Sequence, residues 1–390
     1  MKPLTIVFYT DSYVPAVDGV VTSIVNFSAE LKRRGHKVYI FTSGDAVTKL
    51  KSRNKNVIVI KGIKFRNYPQ YNLALFPFFS SLKLYKINPD IIHVQTPFTM
   101  GLSGLASAKL SRIPVVSSFH TLFMDKSILK EYAPKNKYIK NLFFRYSWKY
   151  TRFFYNSTSN IIVPSDSIRK LLQKHGIKSE IHIVPNGLNQ NYFNANVHGA
   201  ALRQTLFKGK HDKIVLYAGR LSREKKLEVL IKAAKILDTN IKFVIVGDGP
   251  AGEYYKEMVK RSGLQDRFKF IGFVTHKNLG RYYAACDLFC IPSTFETQGL
   301  VSLEAMACGK PVVGASRLAL KDIIKKGKNG ELFLPNDYKS CARKIRKVLN
   351  NTKRYKYTVE TARNYSVEKM TDKLISVYKK VIASNNKLNN

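Results

Sequence analysis

Two glutamates, Glu296 and Glu304, lie eight residues apart in the run IPSTFETQGLVSLEAMACGKP at positions 291–311. The pattern predicts a strand, a turn with glycine and then a helix that begins near residue 300. The first backbone N–H groups of a helix have no partner within it and suit a diphosphate. Here these groups belong to Thr297, Gln298, Gly299 and Leu300. The two carboxylates could accept hydrogen bonds from sugar or ribose hydroxyls.

A second cluster, YAGRLSREKK at positions 217–226, follows a predicted strand and opens a predicted helix. Arg220 could bind phosphate oxygens with its fork of N–H donors, and Lys225 could add a point charge beside it. Gly219 would allow the backbone to approach a ligand closely. A basic pair means little in a basic chain, but its place between a strand and a helix makes it a candidate phosphate site.

Two further candidates lie in the first half of the chain. The loop TDSYVPAVDGVVTS at positions 10–23 runs from the first predicted strand into a helix, and Gly19 could contact a phosphate or sugar there. His120, in the segment SFHT, stands at the carboxyl end of another predicted strand. By itself this histidine is equally consistent with a structural role.

Short apolar runs alternate with amphipathic stretches along the chain, which predicts α/β architecture with parallel sheets covered by helices on both faces. The predicted strands are 4–9, 37–41, 57–61, 91–95, 115–119, 160–163, 181–184, 214–218, 242–246, 268–271, 288–292 and 312–314. Predicted helices include 21–34, 227–237, 252–262, 300–308, 337–349 and 366–383.

The strand–helix pattern restarts once, after the segment VPNGLN at positions 184–189. We therefore expect two doubly wound, Rossmann-like domains, residues 1–185 and 186–365. We expect the last helix, 366–385, to pack back on the first domain. Ligands of such folds bind at the carboxyl ends of the strands, so a central cleft between the two domains is the expected site.

The net charge of +40, from 66 basic and 26 acidic side chains, favours anionic partners. The excess is spread over both halves and forms no basic tail or stripe, so we do not expect nucleic acid as a partner. A basic bias throughout the source organism is an alternative explanation of the charge. The four cysteines have no CxxC spacing and are expected to be buried thiols in a reducing compartment.

Neither a signal peptide nor a membrane-spanning segment is expected from the sequence. Residues 126–152, however, contain eight basic side chains and one acid, interleaved with aromatics. Such a helix suits an anionic membrane surface. The aromatics Phe76, Phe78 and Phe79 form a second apolar group in a predicted loop. Alternatively, the aromatic side chains of the helix belong to the domain core.

In this order, the motifs resemble those of the GT-B retaining glycosyltransferases of family 4, and the resemblance covers essentially the whole chain. It is carried by GV after the first strand, FHT, GRLSREK, VGDGP and the E-x7-E pair of Glu296 and Glu304. The family implies a nucleotide-sugar donor and transfer of a hexose with retention of configuration.

The resemblance also implies a role for each matching position. Arg220 and Lys225 would neutralise the donor diphosphate, and Glu304 would bind the ribose. Glu296 and the backbone amides of 297–300 would hold the donor sugar and phosphate. The remaining positions would be Gly19 against the phosphate, His120 at the transferring sugar, and Gly272 and Val274 in the loop that receives the base.

A narrower resemblance, to lipid glycosyltransferases of the 1,2-diacylglycerol 3-glucosyltransferase type, is carried by DGVVTSI (18–24), HVQTPFTMG (93–101) and ETQG (296–299). It implies transfer of glucose from UDP-glucose, or a sugar from a GDP-sugar, to a membrane lipid such as diacylglycerol. The enzyme would then be cytoplasmic and peripheral on the inner face of the cell membrane. A soluble or polyprenyl-linked glycan remains an alternative acceptor.

Two other classes of function are less well supported. The segment GDGPAG at 247–252 satisfies G-x-G-x-x-G, but it contains proline and no acid ends the next predicted strand, so a dinucleotide oxidoreductase is disfavoured. The chain has no D-x-D or HExxH motif, so we expect no metal and no cofactor. A basic nucleic-acid-binding protein is a remote alternative.

Overall fold

The computed structural model describes residues 2–16, 18–45, 47–49, 54–64, 71–122, 124, 137–207, 209 and 211–389. The chain divides into two compact units. Unit 1 contains the residues up to Gly187 together with those from Val367 onward, and unit 2 is Leu188–Ser366. The predicted domain boundaries, 185/186 and 365/366, lie two residues and one residue before these divisions.

Unit 1 is built on one sheet with helices around it. Its strands are β1 (Thr5–Thr10), β2 (Lys37–Gly44), β3 (Val57–Lys64), β4 (Asn72–Ala74), β5 (Ile91–Val94), β6 (Val115–Ser118), β7 (Asn160–Val163) and β8 (Glu180–Ile183). Its helices within the described ranges are α1 (Gly19–Arg33), α2 (Ser80–Ile87), α3 (Thr99–Leu110), α4 (Lys137–Asn156), α5 (Asp166–Lys174) and the final helix α14 (Val367–Asn389). The strand order is β4-β3-β2-β1-β5-β6-β7-β8, and only β4 pairs antiparallel.

Unit 2 has a second sheet of the same kind. Its strands are β9 (Lys213–Ala218), β10 (Ile241–Val246), β11 (Phe268–Gly272), β12 (Leu288–Ile291), β13 (Val312–Ala315) and β14 (Gly330–Phe333). Its helices in the described part of the chain are α6 (Ala200–Leu206), α7 (Leu227–Ala234), α8 (Gly252–Arg261), α9 (His276–Ala285), α10 (Leu300–Ala307), α11 (Ala319–Ile323), α12 (Tyr338–Asn350) and α13 (Thr358–Arg363). The order is β11-β10-β9-β12-β13-β14, all parallel.

The central strands are apolar on both faces because helices cover both sides of each sheet. In unit 1, the side chains of Ile6 and Phe8 pack with those of Ile24 on α1 and Leu374 on α14 in one buried cluster. The last helix of the chain thus packs against unit 1, and its apolar face completes the core that α1 begins. The sequence-based prediction of two parallel-sheet α/β domains is confirmed.

The structure differs from the predictions in several local features. The strands β4 (NLA) and β14 (GELF) were not predicted, because neither contains the continuous apolar run that marks the other short strands. Residues Pro77–Phe79 form a 3-10 turn that leads into α2, so the predicted loop there is wrong. The basic, aromatic segment predicted at 126–152 is helical from Lys137. Its part at 126–136 lies outside the described residues.

No helix in the described ranges is both long enough and apolar enough to span a membrane. The longest of them, α14 and α4, carry charged side chains along their length.

A buried carboxylate joins the ends of two neighbouring strands in unit 1. Asp11 directly follows β1, and its side chain accepts hydrogen bonds from the hydroxyls of Thr96 and Thr99, both at 2.6 Å, and from the backbone N–H of Met100 at 2.8 Å. Since Phe98, the N-cap of α3, makes no side-chain cap, Asp11 satisfies the helix N-terminus from another part of the chain.

Replacing Asp11 with asparagine should lower the stability of unit 1 by about 2–3 kcal/mol, because a neutral amide satisfies these buried donors poorly. The fluorescence of Trp148, the single tryptophan of the chain, reports urea unfolding of this unit. Asp90→Asn is the control, since its exposed carboxylate accepts one bond, from the N–H of Thr5 at 2.6 Å. Equal losses in the two variants would contradict a special role for Asp11.

Candidate active site

The strand order of unit 2 reverses between β9 and β12, which are neighbours in the sheet although two strands separate them in sequence. Open α/β sheets bind ligands at such a switch point, in the crevice beyond the carboxyl ends of the strands. The loop after β9 carries the basic cluster at 217–226, and the loop after β12 carries the turn at 292–299. Two of the motifs found in the sequence therefore flank one switch point.

An ion pair joins these two loops. The ammonium group of Lys225 lies 2.8 Å from Oε1 of Glu296, and the side chains retain 24% and 12% of their exposed area. The two residues are 71 positions apart in the chain. The fold thus brings together two candidate residues that are far apart in the chain.

The loop that carries Arg220 is held in place by hydrogen bonds to its backbone. The hydroxyl of Tyr217 donates to the carbonyl of Arg220 at 3.0 Å, and the N–H of Leu221 donates to the carbonyl of Asp248 at 2.9 Å. A Cβ atom on Gly247 would lie 1.9 Å from the carbonyl oxygen of Gly219. The glycines of GDGP are therefore needed so that the loop after β10 can support the loop that carries Arg220.

Gly299 has φ of +76°, in the left-handed region that glycine adopts without strain, and is the N-cap of α10. Its conformation turns the chain sharply from the end of β12 into the helix. No acidic side chain occupies the first turn of α10. The positive end of the helix dipole is therefore not neutralised there by an acid, and an anion could bind to it. Gln298 is buried beside this turn. The predicted amides of 297–300 thus lie where the helix begins.

Glu304 lies in the middle of α10 and is 3% exposed. Its Oε2 accepts a hydrogen bond from the hydroxyl of Tyr283 on α9 at 2.9 Å. Burial raises the pKa of Glu304 to about 7, although the bond from Tyr283 acts in the opposite direction. Tyr283 was not predicted as a site residue, because an aromatic residue on an amphipathic helix cannot be distinguished in sequence from an ordinary core residue.

The loop after β11 contains the positions predicted to receive the base. Gly272 has φ of +80°, a Cβ atom there would meet nothing within 4 Å, and its carbonyl accepts the N–H of Gly247 at 2.8 Å. Val274 lines an open groove of about 500 Å³ between this loop, α6 and α9. Space is therefore open beside Gly272, and the groove begins at the residues that follow it.

The two remaining predicted residues belong to unit 1. Gly19 is the first residue of α1, directly after Asp18, whose carboxylate caps the N–H of Val21 at 2.8 Å. Gly19 is exposed, and a Cβ atom there would meet nothing within 4 Å. His120 lies just past the end of β6, and its Nε2 is 2.8 Å from Oε1 of Gln95. Burial lowers the pKa of His120 to about 4, so the ring is neutral near pH 7.

Comparisons with known proteins agree with this arrangement. The model of family 4 glycosyltransferases matches residues 17–192, and that of group 1 glycosyl transferases matches residues 200–365. An alpha-monoglucosyldiacylglycerol synthase of Streptococcus pneumoniae is 32% identical over 83% of this chain and 74% of its own length. The synthase of the same name from Acholeplasma laidlawii is 29% identical over 84% of both.

This chain belongs to the GT-B glycosyltransferases of family 4. The structure of Anabaena HepE in complex with UDP and glucose has the same fold, with a TM-score of 0.76 at 21% identity over 97% of this chain and 100% of that one. The predicted GT-B fold and the predicted hexosyltransferase class are confirmed, and the oxidoreductase and nucleic-acid alternatives are set aside.

In this glycosyltransferase, the E-x7-E pair is divided between two environments. Glu296 is partly exposed beside a cation, and Glu304 is enclosed in apolar surroundings with a phenol. The carboxyl group of Glu304 is therefore poised between its two protonation states near pH 7. Identical side chains at this spacing thus offer different chemistry, and the sequence alone does not distinguish them.

Replacing Glu304 with glutamine should stabilise ligand-free unit 2 at pH 8 by up to about 3 kcal/mol. The folded pKa of about 7 lies above the unfolded value, so the cost of the charged carboxylate grows as the pH rises from about 4.5 to 7. Calorimetric unfolding at pH 5 and pH 8 measures this effect. The exposed Glu257→Gln is the control, and a gain of stability that is equal at both pH values would refute the pKa assignment.

Proposed function

We propose that this enzyme transfers a hexose, specifically glucose, from UDP-glucose to a membrane lipid such as diacylglycerol, with retention of configuration and without a metal ion. The contact between Lys225 and Glu296, beside the N-terminus of α10, is the observation that carries the donor part of this proposal. It brings a cation, a sugar-binding carboxylate and helix amides to one switch point, as a nucleotide-sugar donor requires.

Charge on the leaving group is the main obstacle in this reaction. The bond from the anomeric carbon to the β-phosphate oxygen breaks, and the nucleoside diphosphate departs with the bonding electrons. Arg220, Lys225 and the amides at 297–300 are the groups that would stabilise this charge, which is the kind of preorganised electrostatics that usually contributes most to catalysis.

In a retaining transfer, the acceptor hydroxyl attacks the anomeric carbon from the face that the diphosphate leaves. The new bond joins the hydroxyl oxygen to the anomeric carbon, and the hydroxyl proton passes to the departing phosphate oxygen. This route needs no carboxylate nucleophile on the enzyme. It needs groups that bind the sugar hydroxyls, and Glu296 and His120 are the ones we assign to this task.

The exposed face of α4 supports a membrane acceptor. Tyr138, Leu142, Tyr146 and Phe153 recur at helical spacing and are 85%, 57%, 45% and 65% exposed. The guanidinium of Arg145 and the ammonium of Lys149 lie 6.0 and 5.2 Å from the ring of Tyr146. An apolar stripe bordered by cations suits the surface of an anionic bilayer. The other face of the helix supplies buried aromatics, including Phe154 and Tyr155, to the core.

A second exposed apolar group lies elsewhere in unit 1. Phe76 and Phe78 are each 63% exposed at the 3-10 turn, and Leu82 and Tyr85 on α2 are 71% and 88% exposed. Contiguous exposed apolar groups of this kind mark interaction surfaces. We propose that both groups contact the inner face of the cell membrane, which would place the enzyme beside a lipid acceptor.

Vesicles of diacylglycerol and anionic lipid, radiolabelled UDP-glucose or GDP-mannose, and no added metal test the reaction directly. We expect label from UDP-glucose in the organic phase. Lys225→Ala should reduce kcat about 100-fold or more, because it removes a charge aimed at the leaving group. Glu296→Ala should abolish transfer.

Lys256→Ala is the matched control for Lys225→Ala, since Lys256 is an exposed lysine of α8 that pairs with Glu253. It should keep wild-type turnover. Near-normal turnover of Lys225→Ala would refute the assigned role of that residue. Label in a soluble or polyprenyl-linked product, and none in diacylglycerol, would refute the lipid acceptor while leaving the enzyme class unchanged.

Flotation with vesicles tests the membrane surface separately. The double variant Tyr146→Ser, Phe153→Ser should bind anionic vesicles at least about tenfold more weakly than the wild type, because it removes apolar contact area. Leu334→Ser, at a position of unit 2 that is 61% exposed, is the control and should bind normally. Binding that does not depend on anionic lipid, or that the double variant retains, would contradict the proposed surface.

A further inference from the structure

Two side-chain hydrogen bonds connect β5 with β6, one between residues of the strands and one between residues just past their carboxyl ends. His93 Nε2 lies 2.7 Å from the hydroxyl of Ser118, and His120 Nε2 lies 2.8 Å from Oε1 of Gln95. Each bond joins residues 25 positions apart. Alternate residues of a strand point to the same face, so both bonds belong to one polar ladder that runs along the sheet to its carboxyl edge.

The lower rung of this ladder is anchored from the end of the chain. His93 Nδ1 lies 2.6 Å from the hydroxyl of Tyr378 on α14, and the His93 ring also meets the rings of Tyr378 and Phe8 edge-on. The hydroxyl of Tyr155 on α4 donates to the carbonyl of Ser118 at 3.3 Å. The backbone that leads to His120 is therefore held by a strand and two helices.

Gln95 itself is well fixed. It is 3% exposed, and its backbone N–H donates to the carbonyl of Tyr9 at 2.8 Å, which ties the end of β5 to β1. A buried amide side chain whose backbone is held in this way can impose its orientation on a partner. The partner here is the imidazole that we place at the transferring sugar.

We propose that Gln95 is the positioning residue of His120, and that it holds the imidazole neutral with its proton on Nε2. This inference rests on the proposed function for the role of His120. The Oε1 atom of Gln95 is an acceptor, so Nε2 must be the donor, and the proton of a neutral ring is then absent from Nδ1. Nδ1 is therefore an acceptor, suited to a sugar hydroxyl.

The surroundings agree with a neutral ring. Burial holds the pKa of His120 at about 4 and that of His93 well below its usual value. Burial also raises the pKa values of Tyr155 and Tyr378, so both phenols keep their protons. Gln95 offers His120 an uncharged amide oxygen as acceptor, whereas a carboxylate at this position would favour the imidazolium.

Gln95→Glu tests this directly, because it replaces an uncharged acceptor with one that can carry a negative charge. A carboxylate beside Nε2 favours the imidazolium, so His120 should take up its second proton at a higher pH than in the wild type. Gln95→Met keeps the volume and removes the acceptor. The exposed Gln173→Glu adds the same charge on α5 and is the control.

The first measurement is 15N NMR of the full chain labelled at its eight histidines, with the His120 signals identified by their loss in His120→Ala. We expect a neutral Nε2–H ring in the wild type and in Gln173→Glu from pH 6 to pH 8. In Gln95→Glu we expect imidazolium signals of His120 to appear as the pH falls from 8 to 6, at a higher pH than in the wild type. In Gln95→Met the two neutral tautomers should mix.

The second measurement is lipid transfer. Both Gln95 variants should lose about 10- to 100-fold in kcat, with little change in KM for the donor, and Gln95→Glu should gain a new ionisation in its pH profile. An Nδ1–H ring in the wild type, unchanged nitrogen shifts in both variants, or changed shifts with normal kcat would each overturn the proposal. If the wild type transfers nothing to lipid, the proposed function fails, and the wild-type tautomer still decides the assignment of Gln95.

Discussion

The ion pair between Lys225 and Glu296 is the contact on which the arrangement of the donor site depends. It spans the switch point of the unit 2 sheet and joins two loops. Its two residues are 71 positions apart in the chain. Each partner is mostly withdrawn from water, so either charge alone would carry a desolvation cost that the other offsets. The pair holds both side chains at the place where a diphosphate and a sugar are expected to meet.

The sheet of unit 1 also has a switch point, but a different kind of group lies there. Its switch point lies between β1 and β5, and the group there is Asp11, whose carboxylate is buried and bonded to hydroxyls and to the amides of α3. This carboxylate serves the fold, because it uses the helix N-terminus that an anionic ligand would need. The two units thus have similar sheets, and among the described helices that begin at the two switch points, those without an acidic cap belong to unit 2.

Much of the fold and part of the site could be predicted from the sequence. The long, apolar strands and the E-x7-E run were predictable because their periodicity and glycine placement are local properties. The short strand β14, the phenol of Tyr283 and the amide of Gln95 were not, because each depends on a partner far away in the chain. The motif GDGP was recognisable in the sequence. The reason for its glycines is a tertiary contact, the close approach of this loop to the backbone of Gly219.

The residues that we assign to the phosphates of the donor differ in burial and charge from those that we assign to its hydroxyls. The groups assigned to the phosphates, Arg220 and Lys225, are cations that keep part of their surface exposed. The groups assigned to uncharged hydroxyls, Glu304 and His120, are shifted by burial toward their neutral forms. A neutral imidazole and a carboxyl group with a pKa near 7 can each exchange hydrogen bonds with a hydroxyl without holding a full charge in a low dielectric. On the proposed assignment, cations would meet the leaving group, and groups shifted toward neutrality would meet the hydroxyls of the ribose and the sugar.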